Sequence, residues 1–213
     1  MAKTIAPKRN RESNEDSAVR RRILEAAFSA FMKSGYAAAS TLEIASRARV
    51  SKRELYALVG NKQQMLIACI TQRATRFEIP ADLPVPRDRE TLEHLLSSFG
   101  ARIVQEVSDP TVIAVFRLAI AEAIHAPEVA QVLDSIGREA RRVALRKVMV
   151  QAQKSGLLNG RPAELADQFV GLLWRDLMVS LLLGVTGRPN PREIAARAHD
   201  AAAAFMRLHS TTG

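Results

Sequence analysis

Apolar residues recur at helical spacing along almost the whole chain, and what varies is how often the pattern is interrupted. From Ser17 to Ser34, Val19, Ile23, Ala26, Ala27, Ala30 and Phe31 fall on one face, and Gly35 follows where a left-handed C-cap is wanted. The next stretch, STLEIASRARVSKRELYALVGNKQQML over residues 40–66, holds two helices of about two turns each. Helices that short are marginal in water on their own and need an outside reason to exist. Ser40 with Glu43, and Ser51 with Glu54, have the S-x-x-E spacing of a capping box, so each helix has a defined start. Only Ala48, Arg49 and Val50 separate the first helix from the second cap, while small Ala45 allows a close, steep crossing and Ile44, Val50, Leu55 and Leu58 supply its apolar contacts. The pattern is that of a helix-turn-helix, in which the first short helix braces the second so that its N-terminus enters a major groove.

Beyond it, Asn61 with Gln64 predicts a further cap and a helix over 62–77. Pro80, Pro84 and Pro86 then forbid helix and mark a linker. Asp109-Pro110 and Asn190-Pro191 each pair a cap with proline at the first helical position, Pro127 opens another helix, and Gly156, Gly160 and Pro162 punctuate the rest. The predicted helices run over 90–106, 110–125, 127–155, 163–184 and 191–209. No segment reads as a strand and none repeats, so the fold class is all-α. FVGLLWRDLMVSLLLGV, residues 169–185, is apolar nearly all round apart from Arg175, Asp176 and Ser180. A helix of that kind must be covered on more than one side, and the alanine-rich helix from Ile194 is a natural companion. The domains predicted are a disordered basic arm over 1–16, a DNA-binding head over 17–78 and a helical body over 79–213.

Charge sharpens this division. Residues 1–80 carry 15 Lys/Arg against 7 Asp/Glu, a net +8, whereas residues 81–213 carry 16 against 15, a net +1. Basicity confined to one end attracts a polyanion there. The chain has no apolar run near 18 residues and no apolar segment at its N-terminus, which predicts no membrane span, no secretory signal and a cytoplasmic protein. The single cysteine, Cys69, sits at a helical position beside Leu66 and Ile70 and reads as a core thiol. No Cys/His cluster offers a metal site and no cofactor motif is present. The four histidines are scattered, and G-x-S-x-G, P-loop and H-E-x-x-H signatures are missing, so catalytic residues are not expected.

Ile23, Ala27, Phe31, Gly35-Tyr36, Ile44-Ala45, Val50-Ser51, Leu55-Tyr56, Lys62 and Leu66 agree in order and spacing with one family. Over residues 19–70 the chain resembles the DNA-binding domain of TetR-family transcriptional regulators (TetR/AcrR type). Two positions depart from the family pattern: Arg49 stands where glycine is usual in the turn, and Val59 where phenylalanine is usual behind the recognition helix. Lys52 and Arg53 open the recognition helix and suit guanine edges or phosphates. By resemblance Thr41, Tyr56 and Lys62 hold the DNA backbone, with Ser51 at the helix start. Arg49 is a further phosphate contact or a plain surface arginine. Lys3, Lys8, Arg9 and Arg11 make the arm a minor-groove probe or a solubilising tail. The resemblance also implies a homodimer through the last two helices, a palindromic operator in double-stranded DNA, and release of a repressor by a small-molecule effector. Phe116, Arg117, His125, Trp174 and Arg175 are the candidate ligand-binding residues, ordinary burial or surface pairing being the alternative for each. A nonspecific DNA-binding structural protein without effector, and an effector-binding protein whose head no longer binds DNA, stay open as rival readings.

Overall fold

The structure, a computed structural model, describes residues 8–74, 84–124 and 127–209, and every regular element among these is helical. The chain divides into two compact units, residues 1–73 with 118–132, and residues 74–117 with 133–213. The first unit runs to Arg73 before the chain enters the second. Residues 118–132, however, group with the head instead of the body.

In the first unit, α1 (Lys8–Ala38), α2 (Thr41–Ala48), α3 (Lys52–Val59) and α4 (Lys62–Ala74) close around Ile23, Leu24, Phe31, Ile44, Leu55, Met65, Leu66 and Ile70, all essentially solvent-free. The helix α1 starts at Lys8, inside the segment 1–16 predicted to be a disordered arm, so the arm as predicted is corrected from Lys8 onward. Pro7 is the last breaker before the helix, and nothing between Lys8 and Ser17 is glycine or proline. A helix already nucleated by the packed face from Val19 onward extends through such a polar stretch at one hydrogen bond per residue. At the other end Gly35 takes φ 76°, ψ 166°, and a last helical turn runs on to Ala38. Cys69 is fully buried, its thiol donating to the Leu24 carbonyl oxygen at 3.2 Å, and burial pushes its pKa up to about 12.

In the second unit α5 (Arg89–Val107) is the central rod, opened by a complete capping box between Asp88 and Thr91 that holds the Asp88 carboxyl below its ordinary range. Next come α6 (Pro110–Glu122), which crosses from this unit into the first, and α7 (Pro127–Leu133), which runs through a π-helical stretch, Asp134–Glu139, into α8 (Ala140–Lys154). The last elements are α9 (Pro162–Trp174), α10 (Leu177–Leu183) and α11 (Pro191–Leu208). Leu92, Leu96, Phe99, Ile103 and Val104 of α5 meet Phe169 and Leu173 of α9 and Ala198, Ala201, Ala202 and Phe205 of α11 in one core. The two helices α5 and α11 lie antiparallel. Arg89 at the start of α5 donates to the Met206 carbonyl at 2.7 Å, while Arg188, ahead of α11, reaches the Gln105 carbonyl at 3.1 Å. Gly100 lets α5 pack closely on two neighbours: a methyl group there would stand 3.1 Å from Leu173 Cδ1 and 3.3 Å from Phe169 Cζ of α9, and 3.5 Å from Ala198 Cβ of α11. The rings of Phe169 and Phe205 meet edge to face at 5.8 Å beside it.

The helix predicted over 163–184 is broken. Arg175, at φ 43°, ψ −118°, ends α9, and α10 restarts at Leu177. Two arginines from elsewhere satisfy the exposed helix ends: Arg197 donates to the carbonyls of Leu173 and Trp174, and Arg117 to those of Leu181 and Leu182. A continuous helix would bury one stripe. The break lets α10 bury Leu177 and Leu181 while Val179, Leu183 and Val185 remain 58%, 73% and 74% exposed. Among the described residues no helix is long and apolar enough to cross a membrane.

Two measurements test this packing. Gly100→Val overfills the α5/α9/α11 contact and lowers unfolding stability by roughly 1–3 kcal/mol, read from denaturant melts. Cys69 resists thiol-specific reagents at pH 8 in the native protein and reacts at once in denaturant, since its proton is held through the pH range where an ordinary cysteine ionises. The folded pKa lies above the unfolded one, so the stability tied to that proton is full below about pH 8.5 and declines as pH rises towards 12.

Candidate nucleic-acid interface

The corner between α2 and α3 is built from three consecutive residues, Arg49, Val50 and Ser51. The α2 C-terminus carries a Schellman pattern: Val50 N–H bonds the Ala45 carbonyl and Arg49 N–H the Ser46 carbonyl, both at 3.1 Å. That pattern requires a left-handed residue, and Arg49 supplies it at φ 55°, ψ 49°. Holding a side chain other than glycine there costs on the order of 1 kcal/mol. Ser51 follows at once as the cap of α3, its hydroxyl accepting from Glu54 N–H at 3.1 Å as the capping-box spacing predicts. At α3 this is one half of the box, and at α2 neither half is made. Ser40 Oγ accepts from Leu42 N–H instead of Glu43, and the Glu43 carboxylate turns away to pair with Arg47 at 2.9 Å. Charge pairing one turn along wins over the return bond to the cap.

Side chains from α1 fix how α2 lies. Arg47 Nη1 donates to Ser29 Oγ at 3.3 Å, and Arg22 Nε to the Ala48 carbonyl at 3.4 Å. Arg22 is one of three consecutive arginines, and its positioning role was not legible from the sequence because it depends on a partner 26 residues away. Behind α3, Gly60 takes φ 85°, ψ −155°, a region open in practice only to glycine. Asn61 and Gln64 then make a complete reciprocal box at the start of α4, with bonds of 2.8 and 2.9 Å. Val59, where the family pattern has phenylalanine, is buried at the base of α3.

The candidate residues come together as follows. Tyr56 Oη donates to Thr41 Oγ1 at 3.4 Å, linking α3 to the first turn of α2, and Lys52 Nζ stands 5.9 Å from the Tyr56 ring centroid. Lys52, Arg53, Tyr56 and Arg49 are exposed, and Ser51 is engaged in capping. Lys62 is tethered: its ammonium donates to the Ala37 carbonyl at 2.9 Å and lies 4.8 Å over the Tyr36 ring. That places a cation at the C-terminal end of α1, where the helix dipole favours it. Burial, then the charges of Glu122 and Glu128, raise the Tyr36 pKa, so the ring beside Lys62 stays a neutral phenol at ordinary pH.

The residues named for a ligand do not converge. Arg117 is spent on the α10 carbonyls, Arg175 is the exposed end of α9, and Phe116 and Trp174 pack against the core of the second unit. His125 lies outside the described residues. An open cleft of about 1070 Å³ lies elsewhere in that unit, with Pro84, Pro86, His94, Leu95, Phe99 and Arg102 in its walls.

This head and body have known counterparts. Residues 23–69 match the bacterial regulatory proteins of the tetR family, and residues 94–211, more than half of the chain, match the C-terminal domain of AefR-like transcriptional repressors. The chain belongs to the TetR family of DNA-binding transcriptional regulators. No curated protein matches it. Among solved structures it is similar to a TetR-family regulator from Mesorhizobium loti MAFF303099, at 22% identity and TM-score 0.75 over 92% of this chain and 98% of that one. It is similar also to a TetR regulator from Agrobacterium tumefaciens, at 26% identity and TM-score 0.71 over 91% and 95%. The flavonoid-responsive regulator FrrA aligns at 24% identity and TM-score 0.77 over 92% and 100%.

The corner yields a stability test. Arg49→Val forces a β-branched residue into the left-handed region and costs about 1–2 kcal/mol. Arg49→Gly removes the strain but loosens the unfolded chain, so it changes stability by less than about 1 kcal/mol. Denaturant melts of both variants check the difference.

Proposed function

We propose that the protein is a homodimeric repressor that grips a palindromic operator with two α3 helices and lets go when a small apolar molecule enters its body. The observation that carries this reading is the linked group of Thr41, Tyr56 and Lys52, which joins the first turn of α2 to the exposed face of α3. Lys52 and Arg53 address base edges and phosphates, while Thr41, Tyr56, Arg49, Lys62 and the helix-start amides at Ser51 grip the backbone and set the register. Two-fold pairing is supported by Val179, Leu183 and Val185, a run of exposed aliphatic side chains on and just beyond α10. Dimerisation through these last helices sets the heads one DNA turn apart, roughly 34–36 Å. An effector that shifts the angle between subunits mismatches that spacing, by no more than its own preference for one state.

For the effector, the cleft along α5 is better placed than the residues singled out in the sequence, because Arg117 is already committed to carbonyl oxygens. Its walls are mostly apolar, which suits a hydrophobic molecule with a few polar groups. The fold has such precedents: FrrA is flavonoid-responsive, and a FadR regulator from Bacillus subtilis, 15% identical at TM-score 0.62 over 87% of this chain and 97% of that one, is in complex with stearoyl-CoA.

Selection of bound fragments from random and genomic DNA by the purified protein tests the reading. A palindrome with half-sites one turn apart is expected, and Lys52→Ala and Tyr56→Ala each weaken its binding by about 1–3 kcal/mol. Recovery of unrelated fragments with no shared sequence, or a strictly monomeric protein at micromolar concentration, overturns it.

A further inference from the structure

We infer that Leu42 is a base-reading residue, its side chain packing against the 5-methyl group of a thymine at the edge of the site read by α3. Leu42 is 67% exposed in the first turn of α2, an amphipathic helix whose buried face is Ile44, Ala45 and Ala48. At roughly 100° per residue, Glu43 and Arg47 fall on one flank of that buried face, and Arg47 is tied to Ser29 of α1. Leu42 therefore projects from the opposite flank, away from α1. What lies beside that turn is α3, because the neighbouring Thr41 takes the Tyr56 hydroxyl. The leucine thus follows directly on the residue that Tyr56 bonds, beside the group that includes Lys52, in a segment that carries most of the chain's net positive charge.

Its chemistry selects the partner. The leucine side chain has no hydrogen-bonding group and gains nothing from a phosphate or from the polar edge of guanine, cytosine or adenine. Among the groups displayed in a major groove, the thymine methyl is the apolar one. An exposed leucine in this position discriminates by burying that methyl, whereas Lys52 and Arg53 discriminate by hydrogen bonds or charge. The inference rests on the proposed operator binding and adds one specificity element to it.

Thymine-to-uracil replacement tests it, since deoxyuridine keeps the base pair and removes only the methyl. Each thymine of the selected operator is replaced in turn, and binding is measured by fluorescence anisotropy with the wild-type protein and with Leu42→Ala. One thymine in each half-site is expected at which loss of the methyl weakens the wild type by about fourfold per half-site and leaves Leu42→Ala unchanged. Leu42→Ala itself weakens the unmodified operator by a similar factor, with an unchanged melting temperature, and selection with this variant loses its thymine preference at that position. Uracil effects of equal size in both proteins, no uracil effect at any thymine, or an operator without thymine next to the α3 site overturns the assignment of Leu42. Those results leave operator binding standing, whereas failure of the wild type to select any sequence removes the operator reading itself.

Discussion

Eight residues of helix do not persist in water unaided, so the direction in which α3 points is decided entirely by what clamps its two ends. At the front, the left-handed backbone of Arg49 turns the chain and Ser51 captures the amide of Glu54 in the first turn. At the back, Gly60 makes a turn that side chains forbid, and Asn61 with Gln64 starts the next helix without slack. Leu55 and Val59 fasten the inner face to the head. The outer face stays exposed and carries Lys52, Arg53 and Tyr56, the last of them also bonded to Thr41 of α2.

The body solves a different problem. Its longest apolar stretch has more greasy surface than one helix can bury, and the chain breaks it at Arg175 so that α9 and α10 hide different faces. The break leaves the Leu173 and Trp174 carbonyls in need of a donor, which Arg197 supplies, and Arg117 does the same for Leu181 and Leu182 at the far end of α10. The same arrangement explains why so apolar a segment still shows aliphatic side chains on its outer surface.

Much of the head was legible because its signals are local. Caps at Ser51 and Asn61, the small Ala45 and the spacing of the apolar positions act within one or two turns, and the structure has them as the sequence predicts, as it has the Asn190 cap in the body. What the sequence did not reveal depends on contacts across tens of residues. The Arg22 bond to α2 and the capping by Arg117 and Arg197 have no local signature, so Arg117 read as a ligand anchor. At Ser40 two local signals competed, and the Glu43–Arg47 pair overrode the capping box. The onset of α1 was placed too late because a polar, proline-free stretch carries no apolar period, yet extends a helix that begins beyond it.

The buried thiol of Cys69 has a practical corollary. It is the chain's lone cysteine and is sealed inside the head, so a cysteine introduced at an exposed site such as Ser46 becomes the single labelling point of the native molecule. Spin probes attached there would test whether two chains pair and, where they do, read the span between their heads.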